Sequence, residues 1–436
     1  MRQPAILHSI VLACFAAISV EFNLAADSAL AGQDERTAVS KARAGNWPGW
    51  RGGDGSGVSD ERDLPTQWNE TSNVIWKTPV HGSGNSSPVV WDDRIFLTTA
   101  ENGGKRRAVL CFDRATGKQL WRTDCPGDAT EETHRLNGYA SSTPATDGSR
   151  VYAFFGSAGA MAVDFEGRLA WHRDLGPFTC EYGIAGSPTL HGNLLFLNCD
   201  QGTDTEAAGS FIIALDKNTG QTVWRTERPG QSHSWSTPVL VPVEGTDRLE
   251  LVLSGDKRVW AYDPGTGEPL WSCEGTKSWV TPTAVSGQGL LYVVSGETSG
   301  GPVMAIRPGG KGDVASTHVA WQSRRGGASV PSPVFYKGRL YVVNDGGILT
   351  FFDGTTGKTV LQGRLQGSKF SSSLVAADDK LYITNEDGDT FVLAADSKLK
   401  ILSKNPLGEP CVATPALSQG QIFIRTKQHL WCIGKS

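Results

Sequence analysis

Cys111-Phe112-Asp113-Arg114-Ala115-Thr116-Gly117-Lys118-Gln119-Leu120-Trp121 reads as strand, tight turn, strand. The phrase returns at Ala214-Leu215-Asp216-Lys217-Asn218-Thr219-Gly220-Gln221-Thr222-Val223-Trp224, and again at Ala261-Tyr262-Asp263-Pro264-Gly265-Thr266-Gly267-Glu268-Pro269-Leu270-Trp271. An Asp at the turn entrance accepts hydrogen bonds from backbone N–H groups two or three residues on. The Gly supplies the positive φ that a short hairpin loop requires. The Trp falls on the outgoing strand, where a large flat side chain fills the space between packed sheets. A phrase repeated in this way marks a repeat architecture.

Working outward, each unit opens on a small residue, usually followed by Pro, and an apolar run: Ser87-Pro88, Thr143-Pro144, Ser187-Pro188, Thr237-Pro238, Thr281-Pro282, Ser332-Pro333, Ser372-Ser373 and Thr414-Pro415. Within the first unit, 86–90, 94–98, 108–112 and 119–122 read as four successive strands, from β-branched and alternating runs bounded by Gly and Asp. Four strands per unit at this period predict an all-β, eight-bladed propeller of antiparallel four-stranded blades. The eighth unit stops after Trp431-Cys432 without a fourth strand, while 74–80 is a strand with no preceding partners. The expectation is that 74–80 completes the last blade and removes the open edges. Trp76, Trp121, Trp171, Trp224, Trp271 and Trp321 share the fourth-strand position and read as structural; Leu361, and Ile401 or Leu402, stand there in the other two units. The fifth unit departs, with Arg307 in the Asp place and a longer loop before Trp321.

The rest of the chain bounds location and partners. Arg2, the apolar run Ala5 to Val20 and the Ala29-Leu30-Ala31 site read as a signal peptide over 1–31, so the protein is expected to be exported to the periplasm or cell envelope. Val11-Leu12-Ala13-Cys14 resembles a lipid-attachment box, but the apolar run continues past Cys14, which argues against an anchor. Residues 32–73 read as a linker and docking segment, with five Gly between Trp47 and Gly57 excluding a regular element and two Trp seeking an apolar surface; 74–436 is the propeller. A formal net charge of −4 and no basic run disfavour nucleic acid. A monomer is expected. Seven Cys remain beyond residue 31, without a C-x-x-C, which gives a metal or redox motif no support. An exported compartment permits disulfides, and Cys111 with Cys125 and Cys180 with Cys199 are the local pairings expected.

The pattern Ala-x-Asp-x-x-Thr-Gly-x-x-x-Trp, once per blade, resembles the pyrroloquinoline-quinone (PQQ) repeat family of eight-bladed propellers over essentially all of 74–436. The Trp47-Pro48-x-Trp50-Arg51-Gly52 element looks like that of exported PQQ-like propellers of planctomycete-type bacteria. The resemblance implies a fold rather than one activity, since its members include quinoprotein alcohol dehydrogenases and a non-catalytic outer-membrane assembly lipoprotein. Catalytic members need Ca²⁺ on carboxylate and amide ligands, an Asp base, a Trp beneath the quinone and usually two adjacent Cys. This chain has no Cys-Cys pair, so no catalytic residue, metal or cofactor is expected, with PQQ plus calcium kept as the alternative.

Two acidic stretches, Asn385-Glu386-Asp387-Gly388-Asp389 and Asn198-Cys199-Asp200-Gln201-Gly202, hold oxygen ligands, but read first as turns. A better candidate site comes from position. Strand one lies innermost in a propeller, so the loops before it converge on one mouth of the central channel. Those loops carry His134, Asn137, Tyr139, Glu181, Tyr182, His233, Trp235, Lys277, Trp279 and Lys369, with His81, Asn85, Arg135, Arg324, Arg325 and Glu409 beside them. Aromatic platforms with cationic and His donors suit an acidic or polyhydroxylated ligand. The expected function is a non-catalytic scaffold binding a small polar ligand or a protein at this mouth. A PQQ-dependent oxidoreductase and an outer-membrane assembly factor are the alternatives.

Overall fold

A computed structural model describes residues 45–436, apart from 135, 203–208, 297–299, 368, 397 and 436. The expected signal peptide, residues 32–44 of the linker, and Arg135 lie outside the described residues. Eight antiparallel sheets follow one another around a ring. Blade 1 consists of Val89–Trp91, Arg94–Glu101, Arg106–Asp113 and Gln119–Asp124. Blades 2 to 7 occupy 145–173, 189–227, 239–274, 285–323, 334–364 and 375–406 in turn. Blade 8 takes Ala416–Ser418, Gln421–Arg425 and His429–Ile433 from the C-terminus, and Val74–Pro79 as its outer strand. Trp76 lies opposite Cys432 and Thr78 opposite Leu430, so the two ends of the chain close the ring as the orphan strand predicted.

The recurring phrase is an interlock as well as a turn. In blade 1, Thr116 donates its backbone N–H and hydroxyl to Asp113 Oδ1 at 2.8 and 2.6 Å, which sets the hairpin. Gly117 (φ +71°) then lies flat on Trp76 of the neighbouring blade, where an added Cβ would come within 2.5 Å of the indole. The Trp76 indole N–H donates to Arg114 O, in the same turn, at 2.8 Å. The arrangement repeats with Trp121 on Phe165 O, Trp171 on Lys217 O, Trp224 on Pro264 O and Trp321 on Gly354 O, at 2.8–2.9 Å. Each Gly is therefore required twice, for its φ and for the absence of a side chain. Trp271 is the exception. Its indole donates to the buried Glu250 Oε2 at 2.7 Å. The long loop of blade 5 covers it, Gly312–Asp313 adding a parallel fifth strand beside Trp271 and Ser272.

A second ring lies at the axis. The backbone N–H of Ser87 donates to Thr143 Oγ1, Thr143 to Ser187, Ser187 to Thr237, Thr237 to Thr283, Thr283 to Ser332, Ser332 to Ser373, Ser373 to Thr414, and Thr414 back to Ser87, all at 2.8–3.1 Å. This closed circuit of eight hydroxyls explains why each unit opens on Ser or Thr. It also corrects the fifth unit, whose opening residue is Thr283, two residues beyond Thr281, because its innermost strand starts at Val285.

The segment before blade 8 is docked across the channel. Trp47 pairs with Val90 of blade 1, and Pro48 O accepts from Thr146 of blade 2. Gly57 and Ser59 pair with Ala376 of blade 7. Arg51 is wholly buried between them, donating to Leu374 O at 3.2 Å and to Pro333 O. Burial pushes its pKa down to about 9, against the pull of Asp54. Leu64 and Trp68 then enter the core shared by blades 7, 8 and 1.

The expected disulfides do not form. Cys111, Cys125, Cys180, Cys199, Cys273, Cys411 and Cys432 are all free and buried. Cys125 Sγ turns to Ala158 O at 3.4 Å and Cys180 Sγ to Gly183 O at 3.3 Å, so neither faces its expected partner.

Candidate functional site: an aromatic patch at the channel mouth

The loops before blades 2 to 5 bring five of the ten expected residues into one cluster. Tyr182 is its hub, with ring centroids 5.7 Å from His134, 5.5 Å from His233, 6.0 Å from Trp235 and 5.6 Å from Trp279. His233 stacks on Trp235 at 5.3 Å and 28°. Main-chain bonds hold the loops together. Trp235 N–H donates to Val280 O at 2.9 Å, its indole to Gly183 O at 2.6 Å, and Asn137 Nδ2 to Tyr182 O at 2.7 Å. Trp279 adopts φ +61°, a conformation that a bulky residue rarely enters, and is 42% exposed.

The expected residues differ in how they are presented. His233 is fully buried, its Nδ1 against Gly202 O at 2.8 Å, so it supports Trp235 from beneath and is not offered to solvent. Tyr139 turns away from the mouth. It packs on Gly104, and the buried Arg107 guanidinium lies 4.8 Å from its ring. A loop position does not fix the rotamer, and the apolar gap beside Gly104 captured this ring. Glu181, Lys277 and Lys369 are exposed at the rim, Lys369 across the ring before blade 7. Asn85 lines the channel, donating to Leu136 O at 3.1 Å.

Beneath the patch, the hydroxyl ring and Trp235 line a channel cavity of about 110 Å³, with Trp50 of the crossing segment also in its wall. Both acidic stretches have internal partners. Asn385 Oδ1 accepts from Asp389 N–H at 2.8 Å as a turn, and Asp200 is bound by Arg228 at 2.6 and 3.1 Å and by Ser234 at 2.7 Å. Among the described residues no three His, Cys, Asp or Glu side chains gather as a metal site. Sequence reasoning missed Arg425. It ends the second strand of blade 8, where the other blades have Thr98, Phe154, Asn198, Ser254, Val294, Val343 and Thr384. A lone charge in that column was the one signal that could have found it.

Comparison with known proteins bears on this geometry. The model of the family described as outer membrane protein assembly factor BamB matches residues 36–203, 167–313 and 208–436. The chain belongs to this family. It is 25% identical over 378 residues to the assembly factor BamB of Yersinia pestis, covering 75% of this chain and 90% of that one. It is also 24% identical over 276 residues to a polyvinylalcohol dehydrogenase of Pseudomonas, of which the match spans only 40%. Among solved structures, the quinohemoprotein alcohol dehydrogenase of Comamonas testosteroni superposes with a TM-score of 0.64 at 12% identity, over 91% of this chain and 81% of that one. That likeness is of fold. Among the described residues no helix is long and apolar enough to cross a membrane.

Proposed function

We propose that the protein is an exported, non-catalytic propeller of the cell envelope, which binds a small polar ring ligand on the aromatic patch at its channel mouth. The observation that carries this reading is Trp279, exposed and strained beside Tyr182, in the loops that precede blades 2 to 5. A flat or polyhydroxylated ring stacks on such a face, and His134 at the edge supplies a donor or acceptor. The fixed loops favour binding without rearrangement, because Trp235 and Asn137 are already tied to neighbouring main chain.

Two other readings rest on the relatives. The dehydrogenases favour a quinone on the same patch, where the rings fit a flat ligand. For the calcium of that pairing, the described residues gather no group of three or more His, Cys, Asp or Glu, so a site would have to use amide or backbone oxygens as well. The family description favours a protein partner in outer-membrane assembly.

The test is tryptophan fluorescence of the purified protein, titrated with a panel of soluble saccharides and with PQQ plus Ca²⁺, alongside dye reduction with alcohols. Saturable quenching that Trp279→Ala and His134→Ala abolish, without dye reduction, is the expected result. Dye reduction by the loaded protein would establish the quinoprotein reading instead. Recovery of an outer-membrane assembly complex with the native protein, unaltered by these substitutions, would move function away from the patch.

A further inference from the structure

Beside the aromatic patch, between blades 7, 8, 1 and 2, the mouth opens into a cleft of about 380 Å³, the size of a small-molecule site. Its floor holds the Arg425 side chain, 2% exposed. The hydrogen bonds of this guanidinium among the described residues all leave from Nη1, to Ser86 Oγ at 2.6 Å, Thr98 O at 2.7 Å and Ser86 O at 3.5 Å. Nε has no partner. Nη2 lies over Gly84, where a Cβ would stand 2.7 Å away. Gly84 is itself part of the cleft wall, so only the missing side chain leaves Nη2 accessible.

The other buried arginines of the mouth are differently placed. Arg228 is paired with Asp200, and Arg107 lies 3.6 Å from Glu131. Arg425 forms no ion pair among the described residues. Burial lowers its pKa to about 10, opposed only by the Cys411 thiol, so it stays cationic near neutrality. A buried charge without a counter-charge is costly to a fold, and an anion bound beside it would reduce that cost. Lys427, exposed on the same wall, adds a second cation. Among the described lining residues the one carboxylate is Glu386, which accepts from Ser371 Oγ at 2.7 Å. The nearby Glu409 is already engaged by Lys77 at 2.9 Å and His429 at 2.6 Å.

We infer that this cleft is a binding site for a small oxyanion, the carboxylate or phosphate group of a low-molecular-weight ligand, held by Arg425 Nη2 from below and Lys427 from the rim. The guanidinium would reach such a group through Nη2, since Nε is buried. The cleft is separate from the aromatic patch, although Asn137 belongs to both, and it joins the channel at Asn85 and Val412.

Isothermal titration at pH 7, with ionic strength held constant by chloride, tests this with inorganic phosphate and with succinate. Saturable binding of at least one probe is expected, and the probe that binds identifies the ligand as phosphoryl or carboxylate. Lys427→Ala, a change at an exposed side chain, should weaken binding about ten-fold, and Arg425→Gln should remove it. If Arg425→Gln does not fold, the affinity of Lys427→Ala decides the question by itself. Trp279→Ala should bind the probe as the unaltered protein does, and loss of binding there would overturn the assignment to the cleft. No saturable heat from either probe, or unchanged affinity in Lys427→Ala, would also overturn it.

Discussion

Replacing Trp224 with Ala tests whether the repeated phrase locks blade to blade. Trp224 is 8% exposed, its ring centroid 5.9 Å from that of Phe196, its indole N–H bonded to Pro264 O, and its face covered by Gly267 of the next blade. A Trp buries roughly 150–250 Å², which at about 25 cal/mol per Å² corresponds to about 4–6 kcal/mol. The axial hydrogen-bond circuit fixes each blade against its neighbours, so the gap between blades 3 and 4 has little freedom to collapse. Mutational experience with large-to-small core changes gives about 3–5 kcal/mol, and this site belongs at the upper end of that range. Trp224→Phe separates the terms. It keeps most of the ring but removes the donor to Pro264 O, and should cost about 1–2 kcal/mol. Equilibrium urea unfolding of the three proteins, with the slope compared as well as the midpoint, is the assay. A loss below about 1 kcal/mol for Trp224→Ala would refute the interlock.

The axial ring is tested by Thr237→Val, which keeps the shape but strips the acceptor from the buried Ser187 N–H, and should cost about 1–3 kcal/mol in the same assay. The seven described thiols should resist a thiol reagent in the native protein and react only on unfolding, since burial pushes Cys111, Cys411 and Cys432 up to about 12; rapid native labelling would contradict this placement. Asp147 is subject to opposite influences. Burial raises its pKa, but Lys217 at 2.9 Å and the N–H groups of Arg150 and Ser149 outweigh it and hold the carboxyl at about 2. A depressed folded pKa stabilises above the ordinary value of about 3.9, so the melting-temperature gap between the unaltered protein and Asp147→Asn should be widest above pH 5 and shrink as pH falls toward 2. A gap that does not change with pH would refute the assignment.

The fold was legible because its information is local and repeated. Asp113, Thr116 and Gly117 specify a turn within five residues, and the same turn returns at Asp216, Asp263 and Asp353, so repetition identified the propeller. The orphan strand at 74–80 was readable for the same reason, as a missing member of a counted set. What required the tertiary structure is everything that depends on a neighbouring blade. The second requirement for Gly117, the face of Trp76, appears only when two blades meet. The register of Thr283 was set by the closed hydroxyl circuit, not by the Pro that follows Thr281. At the mouth, loop order in the sequence placed these segments near one another, and four rings meet around Tyr182. It could not predict rotamers or depth. Tyr139 fell into the gap beside Gly104, His233 went beneath Trp235, and the cysteines turned toward separate carbonyls, because side-chain direction is decided by the cavity each residue finds. The charge of Arg425, without an ion pair among the described residues, is the clearest case, since a sequence shows a residue's charge but only packing shows whether another charge answers it.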